Sequence, residues 1–317
     1  MNTVHKTSWR LALWILVCAA PSISCGHSFY DRHVFFDNSH SEVSYFRSEG
    51  SFVSPSELAL IGTRVPVATN RFTSPPNCLR LTWKSAPGGD WRLQLKAIAR
   101  YAHSPEFEGD ALSLWCFAEE YLSVEDSPRL ALQDSSGVGS ADLNLLCDCG
   151  PLPAGKWTKI IIPFDRFKPL FGRTDDLQWN PAKLVTIWLT QGLDDEKLHT
   201  VYVDDVQIVP REASVTSPAA PANLTVSAFE RHFDLTWSAE QTPGLLKFQI
   251  YRSWDGEQFA PIGIQPGHLR RYTDYVDRAS RRAAYRITAV DLNGTESALR
   301  VRDHGADCRS GAALYFS

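Results

Sequence analysis

Between residues 224 and 294 apolar and polar side chains alternate in short runs that end in tight-turn pairs. That pattern admits strands and excludes amphipathic helices, whose apolar residues recur every three or four positions. Phe233, Leu235 and Trp237 alternate with Asp234 and Thr236, as on a half-buried strand. The run from Phe248 to Arg252 ends at the hairpin signal Asp255-Gly256, and the run from Ala284 to Val290 is closed by Asn293-Gly294.

The same grammar holds further upstream. Leu79, Leu81 and Trp83 alternate with Arg80 and Thr82; Pro87-Gly88-Gly89-Asp90 breaks the chain; Trp91, Leu93 and Leu95 then alternate with Arg92, Gln94 and Lys96. Apolar runs at 112–117, 157–164, 184–189 and 200–209 complete the set. Many short strands with turn punctuation predict an all-β chain of two sandwiches. Ser214 to Ala222 holds two prolines and no charge, which places an extended linker at 212–220 between units at 29–211 and 221–302. Residues 297–302 are expected to supply the last strand, and 303–317 to form a disordered tail.

The 317 residues leave room for two cores. Net charge is −4 with basic residues scattered, which argues against a nucleic-acid partner. Lys6 and Arg10 precede the apolar run Leu11 to Ala20 and the small residues Ser22 and Ser24, the order of a signal peptide over 1–25. The expected location is therefore exported: periplasm, outer membrane lipoprotein or extracellular. Cys25 after Ser22-Ile23-Ser24 is the lipidation candidate, which makes a lipid anchor the only expected membrane link. Among seven cysteines, Cys147 and Cys149 sit one residue apart, on one face if the segment is a strand, and off any zinc-ribbon spacing.

Glycoside hydrolysis needs two carboxyl groups held across the bond. The dense acidic spots are Glu119-Glu120, Asp175-Asp176 and Asp194-Asp195-Glu196, all beside turns or strand ends where solvated carboxylates are ordinary. No nucleophile elbow, phosphate loop or His-Glu-x-x-His motif occurs. Sugar binding calls for exposed aromatic faces, and Trp91 with Arg92 after the Gly88-Gly89 turn, and Trp179 after Asp175-Asp176, are the candidates. Strand parity puts Asp205 on the inward side with Val201 and Val203, where a carboxylate needs compensation.

The strings PANLTVSAFERHFDLTW, FQIYRSWDG and YRITAVDLNG resemble the fibronectin type III family. The resemblance implies that Trp237 is the core tryptophan and Tyr285 the corner tyrosine. Leu152 to Trp157 followed by Ile160 to Pro163, and Thr200 to Ile208, are similar to galactose-binding-like jelly rolls. Domains of that class often hold a structural calcium between the first and last strands, which implies Asp37 and Asp205 as its ligands. The order of these units, with Phe29 to Ser39 at the front, resembles the N-terminal half of secreted bacterial glucoamylase-like and β-1,2-glucan-active glycoside hydrolases. In that family a helical catalytic domain follows. The resulting expectation is a non-catalytic accessory region that binds a glucan. The alternatives are an adhesive envelope protein that binds protein partners, and a complete glycoside hydrolase.

Overall fold

The computed structural model describes residues 34–97, 109–169, 180–211, 218–240, 244–276, 282–291, 294–298 and 304–307. The signal peptide, Cys25, Trp179 and Cys308 lie outside them. The described residues form nineteen strands and two short 3-10 turns, with no α-helix.

The first unit comprises β1 (Val34–Phe36), β2 (Ser48–Val53), β3 (Glu57–Leu58), β4 (Val67–Ala68), β5 (Cys78–Lys84), β6 (Asp90–Lys96), β7 (Ala111–Ala118), β8 (Arg129–Asp134), β9 (Leu143–Asn144), β10 (Trp157–Pro163), β11 (Leu184–Thr190) and β12 (Leu198–Val209). One sheet runs β10-β7-β12-β5-β3, with β1 on β12 and β4 on β5. The other runs β2-β6-β11-β8-β9. The inward residues of both, among them Leu81, Trp83, Trp91, Leu93, Leu114, Ile160, Ile187 and Val203, make one core. This is the jelly-roll sandwich that the alternation predicted.

The second unit comprises β13 (Ala222–Ala228), β14 (His232–Ser238), β15 (Leu245–Ser253), β16 (Ala260–Pro266), β17 (Arg271–Tyr275), β18 (Arg282–Asp291) and β19 (His304–Asp307). Its sheets are β13-β14-β17 and β16-β15-β18-β19, the fibronectin type III arrangement. Trp237 sits in its core against Phe248, 5.3 Å between centroids. Tyr285 is fully buried, and its hydroxyl donates to the Asp274 carboxylate at 2.7 Å. Arg252 holds the same carboxylate through both oxygens, at 2.9 and 2.8 Å. The Tyr285→Phe variant is expected to lose about 1.5–3 kcal/mol, the worth of a hydrogen bond to a charged group. Chemical denaturation of the two proteins checks this, and equal midpoints would show that the hydroxyl contributes nothing.

Three expectations are corrected. The strand described after Asn293-Gly294 is His304–Asp307, paired with Arg282–Tyr285, inside the segment expected to be a tail. An unpaired edge recruits backbone through its N–H and C=O groups, for which no side-chain pattern is needed. Ser297 instead clips the other end of β18, its N–H to the Ala289 carbonyl at 2.7 Å. Cys147 and Cys149 lie in a turn, not on a strand, so parity does not apply to them. Finally, β12 carries a bulge between Asp204 and Gln207, and Asp205 there has φ of 47°. The extra residue ends the strict alternation, and Asp205 leaves the inward row of Val201 and Val203.

Candidate functional site

The bulge points two carboxylates at the second unit. Asp204 is fully buried; its Oδ2 accepts the N–H groups of Thr73 and Ser74 at 2.7 and 2.8 Å and the Thr73 hydroxyl at 3.0 Å. Asp205 Oδ2 accepts the Ser74 hydroxyl at 2.6 Å and the Lys247 ammonium at 2.7 Å. Lys247 also donates to Ser74 Oγ. Lys247 comes from β15, so this buried ion pair joins the two units. Burial, then the adjacent Asp205, pushes the Asp204 carboxyl well above the usual range, while the Ser74 N–H, Lys247 and the Thr73 N–H pull it back. Nearby, burial lowers the Lys159 pKa against the opposing pull of Asp291 and Asp205. Gly294 lies on the same surface: a Cβ there would stand 2.9 Å from the Trp115 ring, and its φ of 81° suits glycine. The outer face of the β7-β12 sheet is thus committed to holding the second unit.

Lys247 supplies at Asp205 the positive charge that the sequence reading assigned to calcium. Among the described residues no group of three or more His, Cys, Asp and Glu side chains gathers as a metal site.

The aromatic candidates separate. Trp91 is 0% exposed, its indole N–H bonded to Ser85 Oγ at 3.1 Å and its ring 5.8 Å from that of Trp83. A ring with no exposed face cannot offer one to a sugar, so Trp91 is corrected to a core residue. Alternation put it inside, because it shares its side of β6 with Leu93 and Leu95. Arg92 points the other way and is exposed, its Nε bonded to Ser51 Oγ at 3.2 Å.

The outward rows of the β2-β6-β11-β8 sheet follow from register. Glu49 faces Gln94, Gln94 faces Trp188, and Trp188 faces Ala131. The next row is Ser51, Arg92, Thr190 and Arg129, and the third holds Lys96, Thr186 and Gln133. Trp188 is half-buried, its indole N–H donated to Gln133 Oε1 at 3.2 Å. The sequence reading missed Trp188. Its signal was available: in the run 184–189 it is the aromatic residue out of phase with Ile187 and Leu189.

A cleft of about 180 Å³ opens at the other end of the sandwich, lined by residues 118–122 and 198–201. Here Tyr202 donates to Glu119 Oε1 at 2.8 Å; burial first, then Glu119, raises the Tyr202 pKa. His199 meets Asp195 Oδ2 at 2.7 Å and stacks on Trp83 at 5.2 Å. Glu119 and Glu120 therefore line this cleft, and Asp195 touches one of its lining residues, His199.

No family model matches the chain. The described residues fold as two β-sandwiches, and the relatives found are these. It is 30% identical over 289 residues to the exo beta-1,2-glucooligosaccharide sophorohydrolase (non-reducing end) of Parabacteroides distasonis, an alignment over 91% of this chain and 39% of the relative. The crystal structure of a beta-1,2-glucanase from the same organism superimposes with a TM-score of 0.76 at 30% identity, over 87% of this chain and 39% of that one. The chain thus spans about two-fifths of the relatives it matches. The match overturns the expectation of a non-catalytic accessory region: the protein that it resembles along 91% of its length is by name a hydrolase.

Proposed function

We propose that this protein is a glycoside hydrolase acting on β-1,2-linked glucooligosaccharides. The observation that carries this is the single alignment running through both sandwiches and their junction, 289 residues at 30% identity to a sophorohydrolase. Two unrelated sandwiches joined by a linker have no physical reason to recur in that order. A shared interface, with Asp205 on Lys247 and Gly294 on Trp115, ties them into one body. Glu119 in the end cleft accepts the Tyr202 hydroxyl, the same kind of contact that a sugar hydroxyl would make. The glycan partner follows from the same reading.

The test is product analysis. The protein, expressed from its natural reading frame, is incubated with linear β-1,2-glucooligosaccharides, and separately with β-1,3- and β-1,4-linked ones. Release of a disaccharide from the β-1,2 series alone is the expected result. Intact β-1,2 oligosaccharides after prolonged incubation would overturn the reading.

A further inference from the structure

We propose that the outward face of the β2-β6-β11-β8 sheet binds a glucan chain, with Trp188 as the ring platform and Gln94, Gln133, Arg92 and Glu49 as its hydrogen-bonding rim. The linkage, β-1,2, rests on the function proposed above; the site itself rests on register and burial. Of the two outer faces of the first sandwich, one is taken up by the second unit through Asp205, Lys247 and Trp115. The other carries the half-buried Trp188 indole on β11, third in the order β2-β6-β11-β8.

The surroundings of that indole fit a hydroxyl-rich, uncharged ligand. Ala131 faces Trp188 across the strand pair and carries no side chain beyond its Cβ. Gln94 faces it from the other side, and Gln133 fixes the indole by accepting its N–H. Amides both donate and accept, as a sugar's hydroxyl groups do. The charges are balanced locally: Lys96 reaches Glu49 at 3.3 Å and Arg129 reaches Asp142 at 3.2 Å. A phosphate backbone would need one sign of charge, and an added peptide strand would need a sheet edge. At the usual strand spacing the face spans about 14 Å from β2 to β8, room for several linked sugar rings.

Calorimetric titration of this chain with linear β-1,2-glucooligosaccharides tests the site, with laminari- and cello-oligosaccharides as parallel arms. Trp188→Ala is expected to weaken binding about tenfold or more, as loss of a central aromatic anchor does. Arg92→Ala and Gln94→Ala, on solvent-facing positions that leave the core untouched, are expected to weaken it by less. Tyr275→Ala, an exposed position on the fibronectin unit, is expected to bind as the parent does. Parent-like affinity in Arg92→Ala, Gln94→Ala and a folded Trp188→Ala would overturn the proposal, as would a parent that binds none of the three series. Hydrolysis of the β-1,2 series with affinity indifferent to Trp188 would remove this site and leave the enzyme reading standing. Trp188-dependent binding confined to laminari- or cello-oligosaccharides would keep the site and remove the β-1,2 reading.

Discussion

Replacing Lys247 with methionine is expected to destabilise the protein by about 3–5 kcal/mol, because it removes one partner of a buried ion pair and leaves the other uncompensated. Asp205 and Lys247 are each 5% exposed, and Asp204 beside them is 0% exposed. Without the ammonium two adjacent carboxyl groups share one dry site. The double variant Lys247→Met with Asp205→Leu should recover much of the loss, since an apolar pair of similar volume avoids the desolvation cost. The pH dependence has a definite sign. The folded-state value of Asp204 lies above the value near 3.9 of an unfolded aspartate. Such a group contributes stability that is complete below the unfolded value and lost as pH rises through the folded one. The gap between the Lys247→Met variant and the parent should therefore narrow as pH falls from about 7 to about 5. Denaturant titrations at both pH values check this. A gap that widens on acidification, or a variant as stable as the parent at neutral pH, would show that the ammonium does not compensate these carboxyls.

Trp91→Ala is expected to cost about 3–5 kcal/mol as well, the range for emptying a buried tryptophan site. The ring lies against Trp83, and its N–H is satisfied by Ser85 Oγ, so the truncation opens a cavity and orphans a hydroxyl. In a unit of this size that amounts to a fall in melting temperature of roughly 6–20 °C. The transition of the first sandwich should move and that of the fibronectin unit much less. A folded, equally stable Trp91→Ala that had lost glycan binding would return Trp91 to the surface and refute the burial. Trp91→Phe, which keeps an aromatic ring, should fall between the two.

The contrast between Trp91 and Trp188 shows how far the sequence reaches. Both lie on strands of the same sheet, and both fall in runs whose alternation is readable. Period-two patterning separates inward from outward side chains, and on that rule Trp91 belongs with Leu93 and Leu95 while Trp188 stands apart from Ile187 and Leu189. The Gly88-Gly89 turn before Trp91 signals exposure of backbone, not of the next side chain. Arg92, the neighbour paired with Trp91 as a candidate, falls on the opposite face by the same parity. Asp205 was misread because a bulge adds one residue to a strand without a sequence mark, and every parity argument beyond it fails. The strand at His304–Asp307 was missed because an edge pairs through backbone groups that all residues share.

The sequence by itself determined the strand character of the chain, its two sandwiches and their order, while the core positions of Trp237 and Tyr285 are what the fibronectin resemblance implied. These depend on local alternation, turn chemistry and hydrophobic burial, all of which are written along the chain. Tertiary structure alone decided which outer face the second unit covers, that Lys247 stands across from Asp205 some forty residues away, and that Gln94, Trp188 and Ala131 form one row. These depend on register and on contacts between segments distant in sequence, whose energies belong to pairs of residues that no local pattern brings together.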